Sequence, residues 1–493
     1  MLTHAPASKH LSFKRPALIA LVFAVTASDI LLFDQQDGLN VFLWFLTVGL
    51  CLLLAARRGL RKETVILALL VLGAIAPLIE TPSWQAISVA AVGLLLLSLS
   101  TSDLLPNAPS AIPAVAARVV LKVPARFLRG IGRVTLPRPD SVYRNGFGRE
   151  LRLWIMPLIF TLVFVLLFAS ANPLIEKALA SISLDALLAL FDTERILFWS
   201  MMAGPIWILL RPRLARCCRK KQNEAEGQAQ SKLFNEPSLL RALILFNLLF
   251  AVQTVLDVTY LWGGAELPEG MSHAEYAHRG SHPLIVTALL AGLFVLLALR
   301  QDASGPRADL IRRLVYLWIA QNILLCLSAI LRLDLYVEAF SLTRMRVAAG
   351  LWMLLVAVGL GLIILKIFLR KTNAWLLATN AASLLVLFYA IAITDIPAYI
   401  ASYNLTHARE VDGNGEPLDI DYLTSLGPTA LPAIDAYLDT PGVESRDLIL
   451  FARLKQQRSY LLSRFDRRPQ DLRNWTWRMH RLEKYLAARA SVE

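Results

Sequence analysis

The sequence predicts an all-α fold: a polytopic transmembrane helical bundle of about eleven spans with a small helical extracytoplasmic C-terminal tail. Three observations predict it. Eleven runs of mostly apolar residues each have about the length that crosses a bilayer, which takes some 20 apolar residues, with roughly 17–25 tolerated. The segments between them alternate between loops crowded with Lys and Arg and loops that nearly lack them, the asymmetry that orients membrane helices. At 493 residues, 56% hydrophobic and 18% charged, with mean hydropathy +0.54, the chain is too apolar for a soluble enzyme and too long for a single anchor.

The expected spans are 17–33, 39–56, 64–80, 83–99, 152–171, 195–211, 239–261, 283–300, 313–331, 346–366 and 375–394. With the N-terminus in the cytoplasm, the inner segments hold 30 Lys and Arg and the outer loops 6, which keeps the N-terminus inside and puts the C-terminus outside. The first run, behind Lys14 and Arg15, has the outline of a signal peptide with Val25-Thr26-Ala27 as a loose cleavage site. Ten further spans favour a retained first helix. In 172–192 the apolar residues are interrupted by Glu176, Lys177 and Asp185, which suits a helix lying in the interface; if it spans instead, every later segment changes side.

The organisation follows. Four spans occupy 1–99, a basic cytoplasmic segment 100–150, spans five and six 151–211, a polar linker 212–236, spans seven to eleven 237–394 and a helical tail 395–493. Arg118, Lys122, Arg126, Arg129 and Arg133 recur at three- and four-residue steps with Val119, Val123 and Phe127 between them, a basic amphipathic helix suited to anionic headgroups of the cytoplasmic leaflet. The net charge of +13 would suggest nucleic acid in a soluble protein. Here the basic residues flank spans, so the bilayer and not nucleic acid is the expected partner. Cys217 and Cys218 sit in a basic loop without a zinc or acylation motif, and the plain reading is a juxtamembrane pair with no special role. In the tail, Asp419 and Asp421 cap a short helix, Gly427-Pro428 ends it, and 431–438 follows. Two longer helical patterns at 444–465 and 469–489 come next, the last with Trp475, Met479, Leu482 and Leu486 on one stripe.

Ionisable groups are expensive in a bilayer, so their depth is informative. Asp29, Glu80, Gln253, Asp257, Arg332, Asp334, Glu338, Arg344, Arg346 and Asp395 all fall at outer span ends. Gln321, Ser328 and Arg332 share one helical face, and Asp257, Asp334 and Glu338 are the natural partners of Arg332, Arg344 and Arg346. Gln253, Asp257, Arg332, Asp334, Glu338 and Arg344 therefore form the candidate ligand-binding cluster, an outward-facing cleft. The plain alternative is charges snorkelling to headgroups. Weaker candidates are His273, Glu275 and His278 in the outer loop 263–282; the two histidines are five apart, not the four that puts a zinc-binding pair on one helix face. No catalytic residue, metal or cofactor is expected, because the chain has no Gly-rich phosphate loop, nucleophile elbow or dinucleotide fingerprint.

The stretches at 241–264 (RALILFNLLFAVQTVLDVTYLWGG), 271–286 (MSHAEYAHRGSHPLIV), 318–332 (WIAQNILLCLSAILR), 334–340 (DLYVEAF), 418–438 (LDIDYLTSLGPTALPAIDAYL) and 473–478 (RNWTWR) resemble a family of bacterial inner-membrane proteins known only as a domain of unknown function. The likeness covers roughly 150–485, and the first four spans match only in character. It implies a bacterial plasma membrane and nothing chemical. Three functions stay open: a non-enzymatic envelope protein binding a small ligand, lipid or protein partner; a small-solute or lipid transporter, which needs the polar stripe to continue inward through Asn247, Gln321, Asn322 or Asn380; and an enzyme acting on a lipid-linked substrate through His273, Glu275 and His278.

Overall fold

The computed structural model describes residues 15–56, 61–120, 193–212, 236–259, 308–412, 417–469 and 471–491, together with 157, 160 and 161. The described residues form helices joined by turns. Nine expected spans coincide with helices: α1 (Arg15–Leu32), α2 (Leu39–Leu54), α3 (Lys62–Ile75) continued by α4 (Pro77–Glu80), α5 (Trp84–Thr101), then, beyond the short α6 (Ile112–Val120), α7 (Thr193–Leu210), α8 (Glu236–Asp257), α9 (Ala308–Phe340), α10 (Arg344–Phe368) and α11 (Asn373–Ile393). Of these, Lys62–Glu80, Trp84–Thr101, Leu240–Asp257, Asp309–Phe340, Arg344–Phe368 and Asn373–Ile393 are long and apolar enough to cross a membrane, whereas Ala17–Leu32 and Leu39–Leu54 are apolar but shorter. The expected spans 152–171 and 283–300, the interfacial helix 172–192, most of the basic helix at 118–133, and His273, Glu275 and His278 lie outside the described residues, isolated positions aside.

Local sequence sets the helix ends. Thr343 and Thr372 cap α10 and α11 by accepting from the amides of Arg346 and Trp375, which satisfies donors that a helix start leaves open. Pro77, which has no N–H to donate, separates α3 from α4. On α8, Leu245, Leu248, Leu249, Val252 and Val255 are exposed. A stripe of large apolar side chains turned outward inverts the soluble-protein pattern and is consistent with a membrane protein.

The chain divides into two compact units, one of residues 1–72, 91–105 and 115–214, the other of residues 73–90, 106–114 and 215–493. In the first, α1 packs on α2 and α7. Asp29 accepts from Arg195 Nε at 2.7 Å and Trp199 Nε1 at 2.9 Å, and Arg195 lies 5.3 Å over the Phe33 ring. At the opposite ends of its helices Arg61 pairs with Asp103 at 2.9 Å and Thr64 meets Ser100 at 3.0 Å.

In the second unit α8, α9 and α10 pack in succession and α11 packs on α10, around Leu243, Phe250, Ile311, Val315, Trp318, Ile319, Leu360, Ile363 and Leu376. The α8 and α9 helices run in the same direction, because Asn247 meets Leu314 and, further along both helices, Asp257 meets Arg332. The tail has its own apolar core on α12 (Ile396–Thr406), α13 (Ile420–Ser425), α14 (Leu431–Leu438), α15 (Leu448–Asp466) and α16 (Trp477–Ala490), and Val337 and Leu342 of the α9–α10 hairpin join it. The α13 cap is Asp419, as the sequence suggests. The last helix starts later than the pattern indicated: Thr476 accepts from the amide of Met479 and fixes the start at Trp477, leaving Trp475 outside it.

Asn404 ties the tail to the hairpin. Its side chain accepts from the Leu342 amide at 2.7 Å and donates to the Leu342 carbonyl at 2.9 Å, imitating a paired main chain. Asn404→Ala removes both bonds and leaves two buried main-chain groups unsatisfied, an expected loss of about 2 kcal/mol. It should appear as a lowered midpoint of denaturant unfolding in the purified protein.

Candidate functional site

The densest buried polar group lies between α8 and α9. Along α8, Leu243, Asn247, Phe250, Thr254 and Asp257 follow each other at three- and four-residue steps and so share one face. Along α9, Leu314, Gln321, Ser328 and Arg332 follow at steps of seven, seven and four and likewise share one face. At the C-terminal end of this seam Arg332 Nη2 pairs with Asp257 Oδ1, which also accepts from Gln253 Nε2 at 2.9 Å. The two charges are 3% and 1% exposed. Burial this complete is tolerated because each charge has the other as partner and a third group adds a hydrogen bond. Asp257 Oδ2 accepts no hydrogen bond among the described residues. Asp257 also lines a cavity of about 60 Å³ with Thr254, Val258, Leu324, Leu325 and Ser328.

The seam continues toward the helix starts through amides. Asn247 Nδ2 donates to the carbonyls of Leu243 at 2.8 Å and Leu314 at 3.1 Å, Gln321 Nε2 to that of Asn247 at 3.2 Å, and Asn322 Nδ2 to that of Trp318 at 2.7 Å. From Asn247 to Asp257 the rise along α8 is about 15 Å, half of a hydrocarbon core about 30 Å thick. Beyond Asn247 the packing is apolar: Leu243, Ile311, Val315, Leu360, Ile363 and Leu376 fill it.

Of the six candidate cluster residues, the structure brings together Gln253, Asp257 and Arg332. The other three separate from them, which corrects the expected cluster. The α9 helix does not stop near 331 but runs 33 residues to Phe340, so Arg332 lies within it. Asp334 and Glu338 then fall about 200° and 240° around the helix from Arg332, at 3.6 residues per turn. Both are exposed and form no ion pair among the described residues. Arg344, at the start of α10, serves the tail: its amide donates to Tyr422 Oη at 2.7 Å and its guanidinium to the Leu426 carbonyl at 3.2 Å. Arg346 donates to the Ser341 carbonyl and lies 4.5 Å over the Tyr336 ring, a cation at the negative C-terminal end of α9.

Sequence reasoning missed a second cluster. Arg478 of α16 reaches Glu80 at 3.3 Å, Asp395 at 3.4 Å and the Thr394 carbonyl at 3.0 Å, and Arg481 also binds Glu80. Glu80 and Asp395 stand at expected span ends, and the tail is rich in arginine. The pairing itself joins residues some 400 positions apart, beyond any local signal. A larger hollow of about 360 Å³ lies on the tail between α15 and α16, lined in part by Arg458, Arg468, Glu483 and Arg489. Its cations have carboxylate partners: Arg458 binds Asp435 at 2.5 Å, Arg489 binds Asp439 at 2.6 Å, and Arg468 lies 3.4 Å from Glu483.

The hydrogen bond from Arg489, more than any other cause, holds the Asp439 carboxyl below its ordinary range. A lowered folded-state value means that the pair's contribution is complete above the ordinary carboxylate range and is lost as pH falls through the lowered value. Stability curves of wild type and Asp439→Asn should therefore differ at neutral pH and converge in acid; because Asp439 is largely exposed, the difference should be small. Among the described residues no three His, Cys, Asp or Glu side chains group closely enough to hold a metal ion.

The family model for the domain of unknown function DUF4153 matches residues 17–437, most of the chain, and the chain belongs to that family. The match takes in the N-terminal helices that the sequence resemblance left out, and it ends before the RNWTWR stretch of the tail. No curated protein and no solved structure matches the chain.

Proposed function

We propose that this member of the DUF4153 family is an integral protein of a bacterial inner membrane with eleven spans, and that it binds a small polar ligand from the outer side, without catalysis, in the seam between α8 and α9. The observation that carries this reading is the Asp257–Arg332 pair, buried with Gln253 beside a cavity at the outer end of a polar row. Buried intramembrane charges mark function by default. The apolar packing of Leu243, Ile311 and Leu360 beyond Asn247 favours binding over passage. Transport is the second reading, favoured only by the reach of Asn247 and Gln321 to mid-depth.

The topology has geometric support. Two residues that touch at helix ends stand at one membrane face, so the number of crossings between them is even. Asp29 touches Arg195, and the four spans expected between them satisfy this, whereas a fifth at 172–192 would not. Arg478 touches both Glu80 and Asp395, and the eight spans expected between those two also satisfy it. The same contacts favour a tail on the face of Glu80, and the Lys and Arg distribution favours that face as the outer one. The matching directions of α8 and α9 fit one intervening span.

Two measurements test this. A reporter fused after residue 493 that is active only outside the cytoplasm should be active; activity of a cytoplasm-only reporter there overturns the topology. Thermal-shift screening of the purified protein against small polar solutes should find stabilisers whose effect disappears in Asp257→Asn. Stabilisers that act equally on the variant, or none at all, would remove the binding site from this seam.

A further inference from the structure

The RNWTWR stretch of the tail plays no part in the seam and presents a patch of its own. Asp471 starts a short helical turn, Leu472–Asn474, by accepting from the Arg473 amide, and Thr476 then starts α16. These two caps leave Leu472 80% and Trp477 44% exposed. Half-buried Trp475 stands beside Trp477, their rings 6.1 Å apart, and the His480 ring is 5.7 Å from each indole. Large apolar groups gathered on the outside of a tail that has its own core point to a surface that covers them.

What covers the patch follows from where it stands. Trp477 and Arg481 are four apart and share one side of α16, and Arg481 binds Glu80 at the end of α4. Arg478, next to Trp477, reaches Glu80 as well as Asp395 and the Thr394 carbonyl where α11 ends. Lys62–Glu80 and Asn373–Ile393 are both long and apolar enough to cross a membrane, so the patch is held at the height where such helices leave the hydrocarbon. Further aromatic rings stand exposed near the same helix ends: Trp84 at the start of α5, packed edge-on against Phe388 at 4.9 Å, Tyr389 near the end of α11 and Tyr399 in the first turn of α12. Trp and Tyr gather at membrane–water interfaces, where the ring lies in lipid and its polar tip meets the headgroups.

We propose that the tip of the tail at 472–477 is a lipid-contact site: Leu472, Trp475 and Trp477 sit in the interfacial layer of the bilayer that α4 and α11 cross. The tail is then held to the membrane by this patch and to the helix ends by Arg478 and Arg481. Lipid fits the patch better than a second protein does, because Arg478 and Arg481 already set it beside the bilayer before any soluble partner arrives. The inference rests on the membrane part of the reading above and not on ligand binding in the seam, and it holds for whichever leaflet the tail meets. It gives a role to a stretch that lies beyond the family match, which ends at residue 437.

Bromines on lipid acyl chains quench the tryptophans that meet them, which tests the contact in nanodiscs of the full chain. Because the chain has 11 tryptophans, the emission of the Trp475→Phe, Trp477→Phe double variant is subtracted from that of the wild type, which isolates the two indoles. In brominated lipid that difference should fall by roughly half or more, since rings seated about 5–10 Å into the boundary of headgroups and acyl chains reach the bromines. A difference that brominated lipid leaves unchanged, whether the patch faces water or a second copy of the chain, overturns the proposal. The emission of the other tryptophans reports the membrane reading separately. Their quenching without quenching of the difference removes this contact alone, whereas no quenching anywhere removes the bilayer as well. A second probe leaves the aromatic rings in place: a nitroxide on Leu472→Cys, with Cys217 and Cys218 changed to serine, should collide with lipid-soluble oxygen more than with a water-soluble nickel chelate. The opposite order overturns the contact.

Discussion

Arg332→Met is expected to destabilise the protein by about 3–5 kcal/mol, because removing one partner of a buried pair strands the other charge where water cannot solvate it. Asp257 would keep only the Gln253 amide. Asp257→Leu should cost a similar amount for the mirror reason. The double variant should recover most of the loss, since replacing a whole buried pair by apolar groups of similar volume is often nearly neutral. Asp257→Asn should be milder than Asp257→Leu, its side-chain oxygen still accepting from Arg332. A double-mutant cycle read from denaturant unfolding in detergent measures the coupling directly. A coupling below about 1 kcal/mol, the range of exposed pairs, would mean that water reaches both charges freely and that the pair is not buried as its 3% and 1% exposure indicates.

Much of this site was legible in the sequence. The four- and seven-residue spacings that align Gln321, Ser328 and Arg332 are local, and a carboxylate one turn from a glutamine at the end of an apolar run marks Asp257 as a residue in need of a cation. Spans at 313–331 and 346–366 leave 332–345 as a charged connection, and there the expectation fails. Helix propensity and a partner on a neighbouring helix carry α9 through Arg332 to Phe340, and once the backbone stays helical, the 3.6-residue period throws Asp334 and Glu338 onto another face. Arg344 could not be placed, because its acceptors, Tyr422 and Leu426, belong to a tail whose fold arises from contacts among remote helices. Glu80 with Arg478 shows the same limit: each looks like an ordinary flanking charge until tertiary structure brings them together.

Those two long-range clusters have a shared consequence. Asn404 and Tyr422 grip the α9–α10 turn, and Arg478 grips the ends of α4 and α11 through Glu80 and Asp395. The tail is thereby fastened to several helix ends in its unit, including the end of the helix that carries Arg332. Loosening the tail should reach the seam through α9, whose last turns join the tail core through Val337.

The second large effect should come from Asp435, which is 0% exposed on α14. Its carboxylate accepts from Arg458 Nε at 2.5 Å and Tyr485 Oη at 3.1 Å, and Arg489 Nε lies 3.5 Å away. One acid thus joins α14, α15 and α16. Burial and the Asp435 charge together raise the Tyr485 hydroxyl above its ordinary value, so it remains a donor throughout the neutral range. Asp435→Ala leaves two guanidinium groups and a phenol without their shared acceptor, and about 3–5 kcal/mol is the expected loss. Tyr485→Phe, which removes one neutral donor, should cost only about 1 kcal/mol. Asp435 and Arg332 share no partner, so their losses should add to within about 0.5 kcal/mol. A combined loss well beyond that sum would show that the tail's packing on Val337 also supports the Asp257–Arg332 pair, and that the seam is held from the tail as well as from α8.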